Sequence, residues 1–430
     1  MGSGVKAASK NLVRAFRYPN YRRFFLGQSV GIIGLWMAIA AIGWLLYRLT
    51  GDPFQLGLMG FFMHAPTFVL APFGGVLVDR VSRRAVIIAA QAFGCVVMTT
   101  LGLLTLFDRI EVWQILALCG CLGVAKGFEM PAQQALVVDI VDDRADLPNA
   151  IALNATIFHG GRLVGPTLAG VLVIPWFGEG ACFLLFAVGL IWAIRCFALL
   201  RPRPMAAREG KTAVFREIRE GVVFAFGYPP VRALLLLLLA LAFLGQPYNS
   251  LLPVFARSVL GGDSATFGLL VAASGCGAVV AALGMAVRRT VLGLDRVITV
   301  CLVLFGIALF FFAQSTSLAL SLGLSLVIGF CGLAVMVSVN TIIQALVDDE
   351  LRGRVMSLLG MVFLGALPLG TLVYGKAASL VGTPATVSVG AMAVLLVGLV
   401  SFFRLPAQRQ AARIRYEEKG MLEPERAVRG

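Results

Sequence analysis

Charge is scarce in this chain. Charged residues make up 13% of its 430 positions, where a soluble domain carries about 25%. A soluble protein of this length could not keep so much apolar surface dry. Histidine is scarcer still, with two in the whole chain, His64 and His159. No spacing suits a bound metal, and no Ser/His/Asp constellation for nucleophilic catalysis is visible. The eight cysteines (Cys95, Cys119, Cys121, Cys182, Cys196, Cys276, Cys301 and Cys331) all lie in apolar runs. They read as small hydrophobes rather than as a disulfide framework. No polar stretch is long enough to form a catalytic domain, so the reading is not an enzyme and needs no cofactor. Gly370-x4-Gly375-Lys376-Ala377 imitates a phosphate-binding loop. It lacks the Ser or Thr that holds magnesium and has no strand before it.

Apolar sequence is what the chain has in excess, at 59% hydrophobic residues and a mean hydropathy of +0.91. Twelve stretches are long enough to cross a bilayer, near 24–47, 54–78, 85–107, 112–138, 149–174, 181–200, 231–256, 265–287, 297–314, 317–345, 354–376 and 384–404. Crossing about 30 Å of hydrocarbon takes about 20 apolar residues in a helix. The runs are continuous rather than alternating, which selects helices over barrel strands. The fold class is an all-α membrane protein.

The net charge of +14 could suggest nucleic acid, but its placement excludes that reading. Thirty of the 36 Lys and Arg residues fall before the first helix, after even-numbered helices, or in the C-terminal tail. This bias toward one side puts both termini in the cytoplasm. The basic excess then faces anionic membrane lipids, not a polynucleotide. The basic start followed by a long apolar helix reads as an anchor rather than a cleaved signal.

The two halves repeat. Tyr18-Pro19-x-x-Arg22 returns as Tyr228-Pro229-x-x-Arg232. Asp52 with Gly57-Leu58 returns as Asp263 with Gly268-Leu269, Val141-Asp142-Asp143 as Val347-Asp348-Asp349, and Pro166 as Pro368. The expected organisation is therefore a six-helix bundle over 1–200, a linker over 201–230, and a second six-helix bundle with a basic tail over 231–430. Within the linker, Phe215-Arg216-Glu217-Ile218-Arg219-Glu220, followed by Val222, Val223 and Phe226, predicts an amphipathic helix lying on the cytoplasmic leaflet. Proteins built from such repeats rock one bundle against the other around a site near the bilayer midplane.

Between the second and third helices the chain reads Gly75-x-Leu77-x-Asp79-Arg80-x-Ser82-Arg83-Arg84. This resembles the loop signature of the major facilitator superfamily, departing from it at Ser82, where Gly is usual. An acid beside three bases can bridge to another helix end and act as a gate latch, while its arginines hold lipid phosphates. In the fifth helix, Gly161-Arg162-Leu163-Val164-Gly165-Pro166-x-x-Ala169-Gly170 is similar to the Gly-Pro signature of exporters and antiporters in that superfamily. Phe128-Glu129-Met130-Pro131-Ala132-x-Gln134, Leu147-Pro148-Asn149-Ala150 and Asp349-Glu350-Leu351-Arg352-Gly353-Arg354 narrow the likeness to the bacterial enterobactin-exporter and macrolide-efflux-like branch. In that branch the second-half loop, Asp348, Asp349, Arg352 and Arg354, mirrors the first. The resemblance implies the major facilitator fold of two pseudo-symmetric bundles, a monomer in the bacterial inner membrane, and export commonly coupled to proton entry.

Three charges lie well inside the helices: Lys126, Glu129 and Arg162. Such residues are expensive in lipid and mark function by default. Glu129 sits about 15 Å from its helix end and Arg162 about 20 Å from its own, at 1.5 Å per residue. Pairing of Glu129 with Lys126 or with Arg162 is expected. Protonation of Glu129 would break the pair and shift the conformational balance, and His159, one turn before Arg162, could join a relay. A static pair that merely fixes the helices is the alternative. The resemblance supplies Gln28, Gln133, Gln246, Asn249, Asn340 and Gln344 as cavity-lining candidates. Surrounded by Phe, Leu and Met, they suit a small amphipathic substrate. The reading is a proton-coupled exporter. A lysolipid translocator of the same fold and a non-transporting sensor or scaffold stand as alternatives.

Overall fold

The computed structural model describes residues 14–78, 80–201, 214–288 and 290–418, and among these every regular element is helical. The first six-helix bundle comprises α1 (Pro19–Thr50), α2 (Pro53–Val78), α3 (Arg83–Leu106), α4 (Val112–Ile140), α5 (Leu147–Thr167) and α6 (Ile174–Ala198). A separate helix, α7 (Val214–Gly227), precedes the second bundle. That bundle comprises α8 (Pro229–Ala240, extended by irregular turns to Val259), α9 (Ser264–Val287), α10 (Leu294–Gln314), α11 (Leu318–Leu346), α12 (Asp349–Val381) and α13 (Thr383–Glu418).

Eleven helical runs are long and apolar enough to cross a membrane. One of them, Leu147–Ala198, is 52 residues long and contains two passes. A π turn over Leu168–Val173 joins α5 to α6, and the chain reverses at Gly178, where φ is 74°. A side chain is strained in that region of φ, and glycine is not. Twelve passes result. The sequence expectation of separate helices over 149–174 and 181–200 corresponds to these two passes, which meet at the Gly178 break. Two boundaries move. The eleventh helix begins at Asp349, not 354, and the twelfth continues past 404 to Glu418.

Local signals explain the ends. Pro19 and Pro229 open α1 and α8 at first-turn positions, where no N–H is needed. Glu111 and Gln114 form a reciprocal capping box on α4. Asp263 accepts from Ala265 N at 3.0 Å and Thr266 N at 3.1 Å to start α9. Gly51, at φ 62°, closes α1 by donating to Tyr47 O at 2.9 Å.

The packing is repeated in the two bundles. In the first, α2 packs on α4, and α3 on α4 and α6; in the second, α9 packs on α11, and α10 on α11 and α13. Between bundles the contacts are α2 with α12 and α5 with α9, which the pseudo-twofold axis exchanges. One face of the molecule carries α7, the Arg80–Ser82 turn and the starts of α1 and α5, with Ala15 N donating to Asn149 Oδ1 at 3.0 Å. The opposite face carries only tight turns. There Tyr47 Oη and Ser258 Oγ meet at 2.7 Å, and Arg257 donates to Arg48 O at 3.5 Å, both between bundles. Trp44 stacks on Phe267 at 6.1 Å between ring centres. This face is closed.

The closure rests on two glycine crossings. A Cβ on Gly170, in the π turn that follows α5, would collide with Ser264 O and lie 2.8 Å from Gly268 Cα. A Cβ on Gly57 of α2 would lie 2.6 Å from Thr371 O and 2.9 Å from Gly375 Cα. Gly57 and Gly268 are the repeat-related glycines of the sequence, so the fold uses one close approach twice. The phosphate-loop imitation dissolves here: Gly375 is a packing contact, and Lys376 Nζ lies 5.3 Å from the centre of the Phe54 ring.

Candidate functional site: a buried carboxylate network and an unmatched arginine

Glu129 is 4% exposed, near the middle of α4. Lys126 Nζ, one turn earlier, donates to Glu129 Oε2 at 2.6 Å. Gln91 of α3 and Gln133 of α4 donate to Oε1 at 3.1 and 2.7 Å. Gln133 Oε1 in turn accepts from Gln28 of α1 at 2.9 Å. One carboxylate thus ties three helices together, with a cation and two amides replacing its hydration. Gln28 is buried in this chain of amides rather than lining open space. Gln91, 2% exposed, was missed in the sequence. A glutamine deep in an apolar helix at the level of Glu129 was the available signal.

The pairing left open by the sequence resolves to Lys126. Arg162 lies apart. Its Nη2 donates to Asn249 Oδ1 across the bundle interface at 3.4 Å, and its guanidinium carbon is 5.7 Å from the Trp36 ring centre. Asn249 Nδ2 donates to Gln246 O at 2.9 Å and to Gln246 Oε1 at 3.2 Å. Both sit in a 3-10 turn, Gln246–Leu251, flanked by π turns over Leu241–Gly245 and Phe255–Val259. Such departures from α geometry recur at functional sites. His159 is within electrostatic reach of Arg162, and its Nδ1 is buried with no hydrogen-bond partner among the described residues. Asn340 accepts from Gln344 at 2.6 Å, and Gln344 is exposed.

The glycines of α5 and of the π turn after it divide their work. Gly161 and Gly165 bring α5 against Ile32, Ile33 and Met37 of α1, within the first bundle, whereas Gly170 meets the second bundle. Pro166 is buried between them, in the last turn of α5.

At the linker face Arg83 Nη1 donates to Asp139 Oδ1 at 2.5 Å and to Ala135 O at 3.1 Å, tying the Arg80–Ser82 turn to α4. Arg84 Nη1 caps the end of α6 through Leu200 O at 2.7 Å and Ala198 O at 3.3 Å. Arg80 is exposed, and its N–H closes the turn on Leu77 O at 3.0 Å. Asp79 lies outside the described residues. Asp348 O accepts from Leu351 N at 3.0 Å and Arg352 N at 2.9 Å, starting α12; Arg354 lies on its second turn. Asp349, the first residue of α12, completes the mirrored loop. A cleft of about 540 Å³ opens beside Arg23, Arg84 and Arg201, on the linker face and far from Glu129.

Gly74, not the motif's Gly75, makes the close approach. A Cβ on Gly74 would lie 2.5 Å from Gly127 O of α4, whereas Gly75 faces open space. Gly74→Val is expected to cost about 1–3 kcal/mol by overpacking, and Gly75→Ala to leave stability unchanged. Thermal unfolding of the purified variants distinguishes them; equal midpoints would refute the assignment.

With this geometry in place, comparison with known proteins decides the family. Residues 13–428 match the family model described as transmembrane secretion effector. The chain belongs to the transmembrane secretion effector family. Relatives of this secretion effector include the multidrug efflux pump Tap of Mycolicibacterium fortuitum, 24% identical over 382 residues, 87% of this chain and 92% of that one. The staphyloferrin A transporter of Staphylococcus aureus is 22% identical, covering 88% of this chain and 95% of its own. Macrolide efflux protein A of Streptococcus pyogenes is 23% identical, covering 85% and 92%. Among solved structures, the nucleoside transporter NupG superposes with a TM-score of 0.71 at 13% identity, over 90% of this chain and 99% of that one. A bacterial homolog of the human lysosomal transporter Spinster, in an inward-facing and unoccupied conformation, gives 0.67 at 14%, over 93% and 98%. These superpositions establish the major facilitator fold. The protein is a multi-pass membrane transporter, not an enzyme.

Proposed function

We propose that the protein exports small amphipathic molecules across the bacterial inner membrane by alternating access, driven by proton entry. The linker face is then cytoplasmic, as the Lys and Arg bias requires. The observation that carries the reading is the Glu129 network. A carboxylate held near mid-bilayer by one ammonium and two amides can change charge without leaving its place. Protonation removes the attraction to Lys126, whose side chain is 28% exposed and can turn toward water. Loss of that attraction loosens α3 and α1 from α4 and biases which face is open. The closed state of the short-turn face, latched by Tyr47 and Ser258 and by the glycine crossings, is one end of such a cycle.

The efflux names of the relatives support the direction. The mostly apolar surroundings of the polar groups support the amphipathic cargo. Purified protein in liposomes with an imposed pH gradient tests the reading. A screen of siderophores, macrolides and lysolipids should find a cargo whose flux grows with the gradient, with protons moving the opposite way. Lysolipid flux indifferent to the gradient would replace this reading with lipid translocation. No flux of any cargo would favour a sensor or scaffold.

A further inference from the structure

The three charges inside the spans do not cancel. Glu129 is matched by Lys126, and its two oxygens already accept three bonds. Arg162 has no such match: among the described residues no carboxylate lies in ion-pair reach of its guanidinium. A guanidinium offers five N–H donors in a planar fork. Here the described hydrogen bond is one, to Asn249 Oδ1 at 3.4 Å, at the long end of the useful range. The groups within electrostatic reach from the surrounding elements are His159 on its own helix and Tyr248 on α8. Neither carries the negative charge needed near mid-bilayer.

The surroundings suit an amphipathic anion. Trp36 presents its ring to the guanidinium at 5.7 Å, and Phe158 meets Trp36 edge-on at 5.8 Å, giving an apolar wall beside the cation. Trp36 Nε1 and His159 Nδ1 are both buried without a partner among the described residues. Asn249 belongs to the opposite bundle and to a segment that is not α-helical. Its weak bond is therefore the kind a stronger acceptor can displace. A carboxylate would engage Arg162 through two parallel N–H···O bonds, which are shorter and stronger than a bond to a neutral amide. An unpaired charge at this depth is costly, so the missing counter-charge is best supplied by the cargo.

We infer that Arg162, with Asn249 across the interface, binds the anionic group of the transported molecule, and that the cargo class is amphipathic organic carboxylates. This rests on the export reading above and narrows it.

The test uses two probes that share ring and chain and differ in charge: 1-pyrenebutyrate and its methyl ester. Binding to the full-length protein in nanodiscs is read by fluorescence at equilibrium, with empty nanodiscs subtracted. Wild type is expected to bind the acid about tenfold or more tightly than the ester. Arg162→Gln should erase that preference, and Arg162→Lys should keep part of it. Should Arg162→Gln fail to fold, Asn249→Asp, which supplies an internal counter-ion, should erase the preference as well. Equal binding of acid and ester by wild type, no binding of either, or a preference that survives Arg162→Gln or Asn249→Asp overturns the inference. Because binding is read without any gradient, its outcome is separate from that of the export reading. Acid preference without flux in liposomes defeats export alone, and gradient-driven flux of neutral cargo without acid preference defeats the anion site alone.

Discussion

Glu129→Gln is expected to abolish the proposed gradient-driven export while leaving a folded protein. The substitution keeps the shape of the side chain and its Oε1, which still accepts from Gln91 and Gln133. It removes the charge and the titration, and it turns the Oε2 acceptor of Lys126 into an N–H donor. Lys126 loses its partner but is not sealed in protein, since more than a quarter of its side chain is exposed. Coupling between two sites in a protein is typically about 1–3 kcal/mol, or roughly 5–150-fold. Stimulation of flux by an imposed pH gradient should therefore fall from that range to none, while exchange of cargo without a gradient continues. Glu129→Leu is the harsher control. It strands Lys126 and two buried amides, and breaking a buried pair from one side costs about 3–5 kcal/mol. A lower thermal midpoint should separate it from Glu129→Gln. Gradient stimulation that survives Glu129→Gln would reduce the network to a fixed strut.

The second large effect is expected at the glycine crossings. Gly170→Leu places a branched side chain where a single Cβ already collides with Ser264 O. Both neighbours are backbone, which cannot rotate aside, so α5 and α9 must part. Overpacking of this kind costs about 1–3 kcal/mol, which is about 5–150-fold in a two-state equilibrium. The closed short-turn face should be depopulated by that factor and transport should fall accordingly. A reporter is available where Tyr47 Oη and Ser258 Oγ stand 2.7 Å apart. Tyr47→Cys with Ser258→Cys, joined by a bifunctional thiol reagent that replaces the reach of the lost tyrosine ring, should cross-link readily in the parent and slowly beside Gly170→Leu. Gly57→Leu should act alike, because it wedges α2 from Gly375 on the pseudo-symmetric side. Undiminished cross-linking in both would show that the crossings do not hold this face shut.

Much of the fold was legible because lipid permits so few solutions. The twelve apolar runs, the repeat of Tyr18-Pro19 as Tyr228-Pro229 and the pairing of Gly57 with Gly268 all correspond to features of the structure. The ends of helices were less legible. Hydropathy marks where the bilayer stops, not where hydrogen bonding stops, so α13 continues through a charged stretch to Glu418 and α12 starts five residues early at Asp349. The turn at Gly178 falls in the gap between the runs 149–174 and 181–200, where one glycine at φ 74° followed by Glu179 does the work of a loop.

At the site the residue types were visible and their partners were not. Three-residue spacing put Lys126 near Glu129, yet depth alone left Arg162 equally open. Gln91 and Gln28 join the network through tertiary packing of α3 and α1 on α4, which no local pattern encodes. The close approach to Gly127 falls to Gly74, beside the signature's Gly75, since which of two adjacent glycines meets α4 depends on the rotation of α2.

The sharp reversals on the short-turn face leave little standing above the helices there. Between α1 and α2 lie two residues, between α10 and α11 three, and the reversal within α6 is a single glycine break. Antibodies, nanobodies and proteases find almost no epitope or cleavable strand on such a surface. Reagents meant to trap, purify or image the protein should be raised against the other side, where the linker and the arginine-rich turns offer something to grip.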